Sequence, residues 1–62
     1  MSEEFVKDVL SQYTESLEQR YNTLKGELQM EFDKKKYESM GRVAKTISQV
    51  AATIREIDRM EE

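Results

Sequence analysis

The fold of this chain is decided by the stretch Phe32-Asp33-Lys34-Lys35-Lys36-Tyr37-Glu38, which lies between two long segments of helix-forming sequence. It contains neither glycine nor proline, so a single helix running through it competes with a chain that folds back. If Asp33 is an N-cap, Phe32 and Tyr37 occupy the N′ and N4 positions, whose side chains form a hydrophobic staple. The stretch therefore predicts the start of a second helix.

Apolar residues on both sides of this stretch recur with helical spacing. In the first half they step by three or four residues along one stripe, at Val6, Leu10, Tyr13, Leu17, Tyr21, Leu24 and Leu28. In the second half they form a strict heptad pattern, at Met40, Val43, Ile47, Val50, Ile54 and Ile57. We expect two helices, roughly 3–31 and 34–60, within one domain that spans residues 1–62.

The register of the two stripes favours an antiparallel hairpin. In a hairpin, residues equally far from the turn face one another, and pairs such as Leu24 with Met40 lie equally far from Phe32. We therefore expect an all-α, antiparallel two-helix hairpin with coiled-coil-like packing. Its predicted seam consists of Leu10, Tyr13, Leu17, Tyr21, Leu24, Leu28, Tyr37, Met40, Ile47 and Ile54.

One alternative is a continuous helix, because apolar residues also recur every eleven positions, as in a right-handed coiled coil, at Leu10, Tyr21, Phe32, Val43 and Ile54. Extending the first stripe beyond Leu28 with its own spacing, however, soon meets Lys35 and Lys36. Polar residues at those positions interrupt the seam that a continuous coiled coil needs. The hairpin is therefore the preferred interpretation.

The composition argues against an enzyme and against a metal or organic cofactor. The chain has no cysteine and no histidine, which removes disulfides, the usual zinc sites and the commonest general base. Carboxylate pairs at i,i+4 spacing, such as Glu27 with Glu31, are interpreted as a solvated helix face, since a two-helix hairpin has no enclosed site of its own. We expect a binding protein without cofactors.

Charge and hydropathy restrict the partners and the location. The formal net charge of -3 argues against nucleic acid as the main ligand. No apolar run is long enough to span a membrane, and the acidic start differs from a signal peptide, so we expect a cytoplasmic protein with no membrane insertion. A basic cluster is the local exception, and it is either a solvated turn or a contact for an acidic partner or RNA backbone: Lys34, Lys35, Lys36, Arg42 and Lys45.

Two further features allow more than one interpretation. The three tyrosines lie on the predicted apolar faces of the two helices, so packing in the core is preferred over a series of rings that stack on nucleic-acid bases. The two glycines, Gly26 and Gly41, are interpreted as surface positions rather than as points of close helix approach.

The chain has more apolar residues than one hairpin seam requires. Sixty-two residues is near the size at which a single chain struggles to bury enough apolar surface, so a partner is expected. Apolar residues beside the seam, rimmed by charge, are typical of an interface. The predicted partner-facing residues are Phe5, Val9, Val43, Val50 and Ile57.

From Leu17 to about Ile57 the sequence resembles the small co-chaperones of type III secretion needle subunits, the YscE/PscE/EscE-like family. The resemblance rests on Leu17-Glu18, Leu24-Lys25, the pattern Asp33-x-Lys35-x-Tyr37 and the apolar positions of SMGRVAKTISQVAATIREI. It differs in the connection, where Glu31 and Phe32 stand in place of glycines. The turn is therefore expected to depend on the staple.

The resemblance implies a hairpin that pairs with a larger tetratricopeptide-like chaperone in the bacterial cytoplasm. Together the two hold the needle subunit monomeric and prevent premature polymerisation. The alternative is a self-assembling hairpin, a homodimer that forms a four-helix bundle and acts as a regulatory or RNA-binding adaptor through its lysine-rich turn.

Overall fold

Two antiparallel helices, α1 (Glu3–Met30) and α2 (Lys34–Glu61), form a hairpin with a short connection at residues 31–33. The structure is a computed structural model that describes residues 2–61, and the side chains of residues 2–60. The described chain measures 46 × 14 × 14 Å, whereas one continuous helix would be about 90 Å long at 1.5 Å per residue. The predicted hairpin is confirmed, and the continuous helix is excluded. Met1 and Glu62, which complete the predicted 1–62 domain, lie outside the described residues.

The ends of α1 are set by capping. Ser2 is the N-cap, because its Oγ accepts a hydrogen bond from the Phe5 backbone N–H at 3.2 Å. Glu3 and Glu4 lie in the first turn, where the helix dipole favours negative charge. At the other end Glu31 adopts an extended backbone (φ -154°, ψ 127°), which stops the helix.

The start of α2 carries the predicted cap and staple. Asp33 Oδ1 accepts a hydrogen bond from the Lys36 backbone N–H at 3.0 Å, and the Asp33 carbonyl accepts one from Tyr37 N–H at 2.9 Å. The Phe32 and Tyr37 rings lie 6.0 Å apart between centroids. Both interactions are confirmed, so the chain reverses without a positive φ at any described residue.

Among the side chains of residues 2–60, two ion pairs link the helices and agree with the predicted register. At the open end of the hairpin, Lys7 Nζ lies 2.8 Å from Asp58 Oδ1. Near the turn, Lys36 Nζ lies 3.8 Å from Glu27 Oε1. In each pair the two residues are equally far from Phe32 to within one position, as the predicted register requires.

The centre of the seam is formed by Val43 and Val50, the two buried side chains among residues 2–60, at 8% and 9% exposure. The prediction that placed them on the partner-facing surface is wrong. Both the a and the d positions of a heptad point into the facing helix, so these two valines pack against α1. Around them the structure places, partly buried, Leu10, Leu17, Tyr21, Leu24, Leu28, Met40, Ile47 and Ile54.

Candidate partner-binding surface

A row of exposed apolar side chains runs along the N-terminal half of α1. Phe5, Val9 and Tyr13 recur every four residues and so lie on one face of the helix. Their exposed fractions are 54%, 48% and 48%. We call these three residues the apolar stripe. Tyr13 was predicted in the seam, but it shares the face of Val9 one turn earlier and therefore lies at the seam's edge.

The end of α2 extends this apolar surface. The antiparallel register places Met60 level with Glu4, and Ile57 level with Lys7. Met60 is 71% exposed, whereas Ile57, which was predicted to face a partner, is partly buried. Lys7 lies two residues from both Phe5 and Val9, about 200° round the helix from each. The Lys7–Asp58 ion pair therefore closes the opposite edge of the hairpin and leaves the apolar stripe uncovered by it.

Closer to the turn, the same face contains a groove with two arginines. The groove has a volume of about 190 Å3 and is lined by Leu17, Arg20, Ser39, Arg42, Val43 and Thr46. Arg42 Nη2 donates a hydrogen bond to Ser39 Oγ at 3.0 Å, which holds its guanidinium at the groove. Arg20 follows Tyr13 by seven residues, two helical turns, so this arginine groove continues the face that carries the apolar stripe.

A second shallow groove, of about 330 Å3, lies between the helices. It is lined by Glu18, Tyr21, Asn22, Ala44 and Ile47. Tyr21 therefore belongs to this groove, while Tyr13 belongs to the apolar stripe and Tyr37 packs against Phe32. The tyrosines do not form one row along a surface, as consecutive stacking of nucleic-acid bases would require.

The turn carries exposed apolar and basic side chains together. Met30, Phe32 and Tyr37 are 89%, 68% and 56% exposed, so Tyr37, which was predicted in the seam, serves the staple instead. Lys36 pairs with Glu27, and Arg42 lines the arginine groove. The predicted basic cluster is therefore divided, with Lys34, Lys35 and Lys45 exposed to solvent.

The described residues contain no cluster of three or more acidic side chains placed to hold a metal ion. Between residues 2 and 61, neither helix is long and apolar enough to cross a membrane. The partner-binding candidate is thus the face formed by the apolar stripe, Met60 and the arginine groove. No family model, curated protein or solved structure matches this chain.

Proposed function

We propose that this hairpin is a small co-chaperone of a bacterial type III secretion system, acting in the cytoplasm with a larger tetratricopeptide-like chaperone. The pair would hold a needle subunit monomeric and prevent its premature polymerisation. Two features support the proposal: the segment from Leu17 to about Ile57 resembles the needle-subunit co-chaperones, and the chain folds as a helical hairpin. The observation that carries it is the apolar stripe, whose three side chains are each about half exposed. Among residues 2–60 only two side chains are buried.

The small core explains why such a chain benefits from a partner. Val43 and Val50, the two buried side chains among residues 2–60, provide little burial for a fold of two 28-residue helices. Burial of apolar surface contributes about 25 cal/mol per Å2, so covering the stripe and Met60 would contribute several kcal/mol before the entropic cost of association. A partner that binds only the folded hairpin also raises its stability by mass action.

The length and apolar character of the candidate surface suit the binding of an amphipathic helix. The described hairpin is 46 Å long, and a helix of about 30 residues has that length at 1.5 Å per residue. Helices that lie in such grooves bind through apolar anchors spaced three or four residues apart. A subunit that polymerises through amphipathic helices stays monomeric while those helices are covered. The proposed role is therefore binding without covalent chemistry and without a cofactor.

A tagged pull-down from the native bacterial cytoplasm, read by mass spectrometry, tests the proposal. Three baits are compared: the unmodified chain, Val9→Glu in the apolar stripe, and Gln19→Glu, which adds the same charge at an exposed position of α1 outside the stripe. The unmodified chain and Gln19→Glu should retain a tetratricopeptide-like protein and a small filament-forming subunit, and Val9→Glu should lose both. Recovery of the bait alone in all three cases would contradict the proposal.

A self-assembling hairpin with a regulatory or RNA-binding role is the second candidate. The apolar stripe that could contact the larger chaperone could equally contact a second copy of this chain. Lys34, Lys35 and Lys45 are exposed and could contact RNA phosphates. This candidate predicts a light-scattering mass of twice the 7.3 kDa of one chain. It also predicts RNA binding that weakens steeply with added salt, because phosphate contacts release counterions.

A further inference from the structure

We infer that the arginine groove binds a carboxylate of the partner, so that the docking segment is an acidic amphipathic helix. The existence of a helical partner rests on the proposed function. The inference adds the chemistry by which that partner is recognised. It commits the face to a helix of another protein rather than to a second copy or to nucleic acid.

The groove presents two guanidinium groups that have no acidic partner among residues 2–60. Arg20 and Arg42 line it from opposite helices, together with Leu17 and the buried Val43. Arg42 hydrogen-bonds Ser39 Oγ, and neither arginine forms an ion pair with a carboxylate of residues 2–60. Two like charges beside an apolar floor create a positive potential that an anion relieves. Arginine is suited to this role because its planar fork binds a carboxylate through two parallel hydrogen bonds.

The distance between the stripe and the groove defines the docking segment. Arg20 lies seven residues beyond Tyr13, or about 10 Å along α1 at 1.5 Å per residue. A helix that covers the apolar stripe and continues along the hairpin therefore reaches the arginines about two turns beyond its last apolar contact. The expected segment has apolar residues over three turns and a glutamate or aspartate about two turns further on.

The setting of the groove favours a carboxylate over the phosphates of RNA. Nucleic-acid binding needs basic residues that follow the phosphate backbone. The exposed residues Lys34, Lys35 and Lys45 are not among those that line this groove, and the chain has a net charge of -3. The remainder of the same face is the apolar stripe, which carries no positive charge to bind phosphates.

Two synthetic helical peptides test the inference. Both carry leucines on one face over three turns, and they differ only by Glu or Gln two turns beyond the last leucine. Isothermal titration against the full chain should give about tenfold tighter binding for the Glu peptide, the equivalent of one charge-assisted hydrogen bond. The preference should vanish in the double variant Arg20→Gln/Arg42→Gln. It should persist in Lys45→Gln, which removes an exposed positive charge outside the groove.

Equal affinity of the two peptides for the unmodified chain would overturn the inference. So would a preference that survives in the double variant while its circular dichroism is unchanged, or an absence of binding by both peptides. Single-stranded RNA that binds the chain and is lost in the double variant would assign the groove to nucleic acid. A dimer that dissociates in that variant would assign it to a second copy. A preference for the Glu peptide without a chaperone in the pull-down would contradict the proposed function. It would still support the inference that the arginine groove binds an acidic helix.

Discussion

The rings of Phe32 and Tyr37 lie 6.0 Å apart between centroids, at an angle of 45°, on either side of the first turn of α2. Together with the Asp33 cap, this contact sets the angle at which the chain enters the second helix. The connection needs no glycine, since no described residue has a positive φ. In this connection a local aromatic contact therefore stabilises the reversal of the chain, which in many tight helical turns requires a glycine.

Phe32→Ala should lower the free energy of unfolding by about 1 kcal/mol, because a paired aromatic contact is worth about that much beyond its area. Urea or thermal unfolding followed by circular dichroism measures the change. Met30→Ala is the matched control, since Met30 lies at the other side of the connection and is 89% exposed. It should change stability by less than about 0.5 kcal/mol. Equal effects of the two substitutions would show that the staple does not stabilise the turn.

Asp33→Ala should cost about 1 kcal/mol of stability, because it removes the acceptor for the Lys36 backbone N–H. Asp33→Asn should retain most of that stability, since asparagine is an equally good N-cap. The same unfolding measurement separates the two variants. A loss in Asp33→Asn as large as in Asp33→Ala would mean that the negative charge, and not the cap, is what matters.

Val50→Glu should abolish most of the helicity of the isolated chain, because it places a charge at one of the two positions that are buried among residues 2–60. Val9→Glu changes a residue that is 48% exposed and should leave the far-ultraviolet circular dichroism nearly unchanged. The contrast distinguishes the buried core from the exposed apolar stripe. Retained helicity in Val50→Glu would contradict the assignment of Val50 to the seam.

Gly26→Ala and Gly41→Ala should each stabilise the hairpin by about 0.5 to 1 kcal/mol, the usual difference between the two residues inside a helix. Beyond its chain neighbours and the nearby backbone of its own helix, a Cβ added at either position meets no atom within 4 Å, so no clash offsets the gain. This excludes close approach of the two helices at these glycines and agrees with their interpretation as surface positions. A lower melting temperature in either variant would contradict the open space seen at these positions.

Much of the fold was predictable because the signals that set it are local. Ser2 and Asp33 each occupy the position that the N-cap rule assigns, and the apolar spacing gave the helix limits to within about one residue. The register followed from the distances of paired residues to Phe32. It is confirmed by two ion pairs, Lys7–Asp58 and Glu27–Lys36, that the apolar pattern did not include.

The division between the buried core and the exposed apolar surface was less predictable. Val43 and Val50 were assigned to the partner-facing surface, although the heptad pattern itself indicated both positions as core. Tyr13 and Tyr37 were assigned to the seam because the antiparallel register places them level with Ala51 and Leu28. Whether such a large ring is buried depends on whether it points into the seam or out at its edge. The spacing of apolar residues in one helix does not determine that direction. The arginine groove was missed because Arg20 and Arg42 come together only across the two helices.

A polymerisation assay tests the proposed co-chaperone role, with the needle subunit and larger chaperone that the pull-down is expected to identify. Light scattering would follow the purified subunit mixed with equimolar larger chaperone, with and without the hairpin. We predict that the unmodified hairpin keeps the scattering at the level of monomeric subunit, and that Val9→Glu allows filaments to grow. Filament growth at the same rate with and without the unmodified hairpin would contradict the account.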